Sequence, residues 1–291
     1  MGPRRIFLGG SGNRDYSRAM SKDAVKSALL VFLALVALAS AESPSPVDES
    51  RLPRQMQRVN GVLVPVPNEI FNALDRFHDA EWSAVLRPDL ANQRPTGDAA
   101  HIALSLGLVV AEGFIAVAAE DKKEVEELGK TALRLARALG VEKSVLRRGR
   151  SIVEHARRRE WAAVRKEWLG VDVDLRAAML ELPSEQLSQL VSLGGWLRGA
   201  EALSTLVAQH YAAGNTLLLH QPLLVDYFRK CLSQMSNKIR ADVVVIEAEK
   251  GILRLRPLIG NEEANPISEK GVKEIHAVVA ELVKLIETRA T

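Results

Sequence analysis

The chain has 291 residues and a mass of 31.9 kDa, with 47% hydrophobic, 26% charged and 4% aromatic residues. That apolar fraction excludes a fibrous or intrinsically disordered chain, and the single cysteine excludes a disulfide-stapled scaffold and a multi-cysteine zinc site. The net charge of +3 comes from the first 41 residues, where six bases face two acids; the remainder has 33 bases and 34 acids, a net −1, so global charge offers no case for a nucleic-acid partner.

The N-terminus has the layout of an export signal. Lys22 and Lys26 precede a run of twelve apolar residues, Ala28 to Ala39, and Ala39-Ser40-Ala41 fits the small-residue cleavage pattern. Cleavage is expected after Ala41, leaving Glu42 first and a protein exported to the periplasm or beyond, soluble once processed. The run is shorter than the roughly twenty apolar residues that span a bilayer comfortably; an uncleaved anchor is the alternative. Met20 stands just before the compact signal, so residues 1–19 read as an upstream start or a long basic region.

Residues 42–67 contain Pro44, Pro46, Pro53, Pro65 and Pro67. Each proline fixes φ and removes a donor, so this stretch is expected to be an extended spacer, with Val62-Leu63-Val64 the piece able to dock as a short extended segment.

From Asn68 onward the apolar period is helical. Asn68 is expected to cap a helix ending near Leu86, with Phe71, Leu74, His78, Trp82 and Val85 on one stripe and Pro88 beyond it. Further helices are expected from Thr96–Asp98 to Ala119, from Asp121 to Leu139 with Gly140 just past its end, from Glu142 to His155, and from Trp161 to Leu182. Pro183 breaks the pattern, Ser184 caps a helix to about Ala212, and Pro222 opens another to about Ile239. Residues 241–257 are ambiguous: Val-Val-Val-Ile favours a strand hairpin, but a helix agrees with every neighbour and is preferred. Ser268 caps the last helix. The expected fold is all-α: an antiparallel multi-helix bundle of helical hairpins, eight or nine helices in one domain spanning residues 68–291, after the signal peptide and the Pro-rich spacer.

Two helices carry unusual small-residue patterns. Ala99, Ala103, Gly107 and Ala111 recur every four residues, which lets another backbone approach closely. A transmembrane helix is the alternative for this segment, opposed by His101, Ser105 and Glu112, which are costly in lipid. Gly194-Gly195-Trp196 is a matching device, expected at a close helix crossing.

Chemistry-bearing residues are sparse. Asp98, His101, Ser105 and Glu112 share one helical face, and Asp75 and His78 repeat the three-residue spacing. Helical bundles hold metals with carboxylate-x-x-His pairs from facing helices, so Asp75, His78, Asp98, His101 and Glu112 are the candidate metal ligands; the simpler alternative is the solvent face of an apolar helix. Residues 130–166 hold twelve bases and three acids, a local charge of +9. Arg147, Arg150, Arg157 and Arg158 are the candidate anion or partner contacts, since the planar guanidinium fork suits carboxylate and phosphate; the alternative is a solvated charged face. The partner class is an acidic protein or an anionic envelope component, not nucleic acid. No nucleophile elbow, His-Glu-x-x-His zinc motif or glycine-rich phosphate loop is present. Cys231 sits on an apolar stripe and reads as a buried structural thiol. The sequence therefore points to a non-catalytic interaction or scaffold protein of the cell envelope, with a metal- or small-ligand-binding helical bundle as the second reading. It specifies no cofactor and no oligomeric state.

Overall fold

The structure, a computed structural model, describes residues 56–59, 62–65, 77, 80–181, 185–260 and 265–288. The expected leader, the cleavage site, Asp75 and His78 lie outside the described residues.

Within the stretch read as a spacer, two short strands pair. β1 (Met56–Val59) and β2 (Val62–Pro65) run antiparallel, with Val59 opposite Val62 and Met56 opposite Pro65. Val62-Leu63-Val64 is thus extended but paired within a hairpin. Pro65 closes the second strand, an end position where its missing N–H is tolerated.

All other regular structure is helical, with ten α-helices among the described residues. They are α1 (Ala99–Ala118), α2 (Lys122–Ala138), α3 (Glu142–Arg157), α4 (Trp161–Glu181), α5 (Glu185–Gln209), α6 (Ala213–Thr216), α7 (Pro222–Gln234), α8 (Asn237–Arg240), α9 (Val243–Ile259) and α10 (Glu269–Thr288). The ambiguous segment is helix α9, whose N-cap Asp242 accepts from the N–H groups of Val244 at 2.6 Å and Val245 at 3.2 Å. Asp98 and Asp121 cap α1 and α2 in the same way. Past α2, Gly140 has φ +80° and the N–H of Val141 returns to Ala136 O at 2.9 Å, a Schellman ending. The helix expected from Pro222 to Ile239 stops at Gln234, and Asn237–Arg240 forms a separate turn.

One expected helix is corrected. Residues 80–92 do not continue an α-helix; Trp82–Val85 and Pro88–Asn92 are 3-10 turns. Proline disfavours α geometry at the residue before it. Side chains from other helices also take the backbone groups an α-helix would use: Val85 O accepts from Arg198, and Arg87 N–H donates to Glu112. Trp82 and Val85 are buried all the same.

The first helix, α1, is the centre of the structure. Every residue from Ala100 to Val117 is buried, as expected of a helix apolar on all sides. It is long and apolar enough to cross a membrane, yet its most apolar window is 94% covered by the protein itself. It packs mainly on α5 and also touches α2, α4, α10 and both 3-10 turns. The small-residue patterns of α1 and α5 meet: a Cβ on Gly194 would stand 2.2 Å from Leu104 O. On another side the Trp168 ring of α4 lies where a Cβ of Gly113 would be, and its Nε1 donates to Val110 O at 2.9 Å.

Candidate functional site

Two groups of residues stand out: a buried ionic cluster and an exposed cationic edge.

The cluster joins the 80–98 segment, α1, α5 and α10. Glu112 of α1, 0% exposed, accepts from Arg198 Nε of α5 at 2.5 Å through one oxygen and from the Arg87 backbone N–H at 2.5 Å through the other. The Arg87 side chain donates to Glu201 Oε1 at 2.7 Å and to Glu287 of α10. Arg198 Nη1 lies 3.3 Å from Glu201 Oε2, an ion pair without hydrogen-bond geometry. Burial, opposed by the nearby guanidinium groups of Arg198 and Arg87, leaves the Glu201 carboxyl above its ordinary range. For Arg87, burial by itself lowers the pKa, but the bond to Glu287 and the charges of Glu201, Glu287 and Glu112 outweigh it, and the guanidinium is held above its ordinary value.

Next to these groups, His101 sits near the C-terminal end of α10. Its Nε2 faces Ile286 O at 2.8 Å and its Nδ1 faces Thr96 O at 3.1 Å, while Gln93 Nε2 donates to Glu287 O at 3.0 Å. Helix C-terminal carbonyls lack partners within their own helix, so Gln93 and His101 cap α10 from outside. Gly97, with φ +84°, gives the ring room: a Cβ there would stand 2.8 Å from His101 Nδ1.

These contacts correct the solvent-face reading of the α1 polar stripe, since His101, Ser105 and Glu112 are all buried. Of the candidate metal ligands that are described, they also set Glu112 apart from Asp98 and His101. Asp98 accepts from the N–H groups of Ala100 and His101 as the N-cap. Glu112 lies eleven residues beyond His101, about 16 Å along the axis at 1.5 Å per residue. The shared face is real, but it is not a shared site, and among the described residues no three His, Cys, Asp or Glu side chains form a metal-binding group. The residues that join Glu112 in this cluster — Arg87, Arg198, Glu201 and Glu287 — were not singled out from sequence. The available signal was weak: an arginine and a glutamate, Arg198 and Glu201, inside an otherwise apolar helix.

Neither principal cavity is lined by any of these five charged residues. With Glu112 satisfied on both oxygens, the cluster fastens the 80–98 segment, α1, α5 and α10 together. Cys231 is buried, and burial pushes its thiol up, as befits a structural cysteine. His155 meets an acid of its own: its Nδ1 lies 2.5 Å from Glu160 Oε2.

The cationic edge lies on α3, which packs against α2 and α4. Arg148 points toward α4, where it bonds Asp174 at 2.5 Å and Glu167 at 3.1 Å and lies over Gly170. The bond to Asp174 leads the causes that hold its pKa above the ordinary value, with burial opposing. Arg158 pairs with Glu154 at 2.5 Å, and Arg157 lies 4.0 Å from Glu126 of α2. In contrast Lys143, Arg147 and Arg150 are exposed and have no acidic partner among the described residues. The four candidate arginines thus divide: Arg157 and Arg158 have intramolecular acids, while Arg147 and Arg150 have none among the described residues.

No protein-family model, curated protein or solved structure matches this chain.

Proposed function

We propose that this chain is an exported, non-catalytic interaction or scaffold protein of the cell envelope, built as an antiparallel bundle of helical hairpins, and that it contacts an anionic partner through the outer edge of α3. One observation carries this reading: Lys143, Arg147 and Arg150 are exposed without an acid among the described residues, while nearby Arg148, Arg157 and Arg158 have intramolecular acids. Spacings of three and four residues put the three cations on one helical face, with each successive pair within a screening length of about 8 Å at physiological salt. Their fields therefore add toward solvent. The export signal in residues 20–41 supports the envelope as the setting.

The test measures association of the purified protein with its host's envelope fraction at about 50 and about 300 mM NaCl, where screening differs more than two-fold in length. Association is expected to fall with salt and to drop about ten-fold in Arg147→Glu/Arg150→Glu, a loss of about 1.4 kcal/mol. Equal association of both proteins at both salts overturns the proposal. The mass of the host-purified protein tests export separately, and is expected to begin at Glu42.

A further inference from the structure

Beside the cationic edge, the seam between α2 and α3 contains an apolar cavity of about 40 Å³. Gly129, Leu133 and Ala136 of α2, Leu146 and Gly149 of α3, and Trp168 of α4 are among its lining residues. A cavity of this kind offers water no polar partners, and protein interiors rarely leave such space unfilled.

Two glycines keep it open. A Cβ on Gly149 would meet nothing within 4 Å, and one on Gly129 would meet only Trp168 Cζ3 at 3.9 Å. Neither has positive φ. They differ from Gly107, Gly113, Gly170, Gly194 and Gly251, where a Cβ would collide with a neighbour. Alanine would fit at both positions and strengthen both helices. What glycine provides here is the space itself.

The mouth of the seam is apolar, and each of its two helices carries an exposed arginine next in sequence to a lining residue. Leu146 is 41% exposed. Arg137 follows Ala136 and Arg150 follows Gly149; both arginines are exposed and have no ion pair among the described residues. The cavity is several-fold smaller than the roughly 150 Å³ that admits a benzene-sized molecule. It therefore accepts the tip of one aliphatic side chain, not a lipid acyl chain. Guanidinium groups on the two helices that form the seam suit carboxylates, which they can grip two-pronged.

We infer that the α2–α3 seam is the docking notch for an acidic amphipathic segment of a partner protein, which sets one aliphatic side chain between Gly129 and Gly149 and carboxylates on Arg137 and Arg150. This rests on the reading of the α3 edge as a contact surface and adds the partner's chemistry.

The test uses the full chain and two synthetic helical peptides of equal charge. One carries Glu with Leu along one face; the other carries Ser in place of every Leu. Binding is read by fluorescence anisotropy, alongside vesicles of phosphatidylglycerol. The Leu peptide is expected to bind about ten-fold tighter than the Ser peptide, as expected for apolar groups entering a pocket. Gly129→Ala/Gly149→Ala is expected to lose that preference while its thermal midpoint rises, which separates a filled notch from a damaged fold. Equal binding of both peptides, abolished by Arg137→Glu/Arg150→Glu, overturns the notch and leaves the cationic contact standing. Binding to vesicles but to neither peptide overturns the protein partner in favour of a lipid surface. No salt-sensitive binding to any probe overturns the notch and the cationic contact together.

Discussion

Gly107 of α1 lies directly on the backbone of α5: a Cβ there would stand 2.1 Å from Val191 O and 2.7 Å from the Gly195 nitrogen. Backbone has no rotamer by which to yield. Gly107→Ala must therefore separate the two central helices or bend one of them. The expected loss of stability is about 3 kcal/mol or more, at the upper end of overpacking effects, even though alanine is the better helix former by about 1 kcal/mol. Urea denaturation measures it. A neutral Gly107→Ala would mean that α1 and α5 do not cross at this point.

Removing Arg198 strands Glu112 in the core. Both side chains are at most 1% exposed and meet at 2.5 Å. Breaking such a pair by deleting one partner typically costs about 3–5 kcal/mol, whereas replacing both with apolar groups of similar volume is often neutral. Arg198→Met is expected to destabilise by about that amount, and Arg198→Met/Glu112→Leu is expected to recover most of it. Additive losses in this double-mutant cycle would show that the two residues do not interact. Arg87 is held by the same cluster, so Arg198→Met should also loosen the 80–98 segment, visible as faster amide exchange there.

Glu124 predicts a pH dependence of known sign. Burial, with help from the charges of Glu112 and Asp121, raises its carboxyl from 4.5 to about 7, and its Oε1 is buried without a hydrogen-bond partner. The folded state binds this proton more tightly than the unfolded state does. The resulting stabilisation is complete below pH 4.5 and is lost as pH rises through about 7. Glutamine keeps the neutral shape at every pH. Glu124→Gln is therefore expected to gain about 1 kcal/mol on the wild type between pH 4 and pH 8, a figure reduced for solvent screening of a partly exposed group. The difference between the two unfolding free energies at each pH is the readout. A difference that does not change with pH would refute this placement of Glu124.

Much of the helical layout was legible because the signals are local. Asp98, Asp121 and Asp242 each stand just before an apolar period and bond the N–H groups two or three residues ahead. Gly140 ends α2 because only a residue at ease with positive φ continues from there. The ambiguous 243–259 stretch is a helix despite its strand-forming valines, since a cap and a buried face outweigh intrinsic preference. Reasoning from period failed at residues 80–86, where Trp82 and Val85 are buried from a 3-10 turn.

The polar stripe of α1 shows where local reading stops. Its spacing correctly placed Asp98, His101, Ser105 and Glu112 on one face, and a shared face suggested a shared ligand. Direction around a helix repeats every turn, but position along the axis does not, so three turns separate His101 from Glu112. The expected partner was a solvent or a metal ion; the observed partners are Arg198, 86 residues away, Arg87, and the carbonyl of Ile286, 185 residues away.

By itself, then, the sequence determined the helical segments, their caps, the glycine faces of the two central helices and the uneven charge of residues 130–166. All of these depend on residues within a turn or two of each other, where period, propensity and capping act. Only the tertiary structure decided which acids meet which bases, and so left Arg147 and Arg150 without one among the described residues. The same is true of the glycines: the sequence marks Gly107 and Gly149 alike as weak points in a helix, and only packing shows that one is pressed against a carbonyl and the other faces open space. Both distinctions depend on what lies across a helix interface, and those neighbours come from parts of the chain that sequence spacing does not relate.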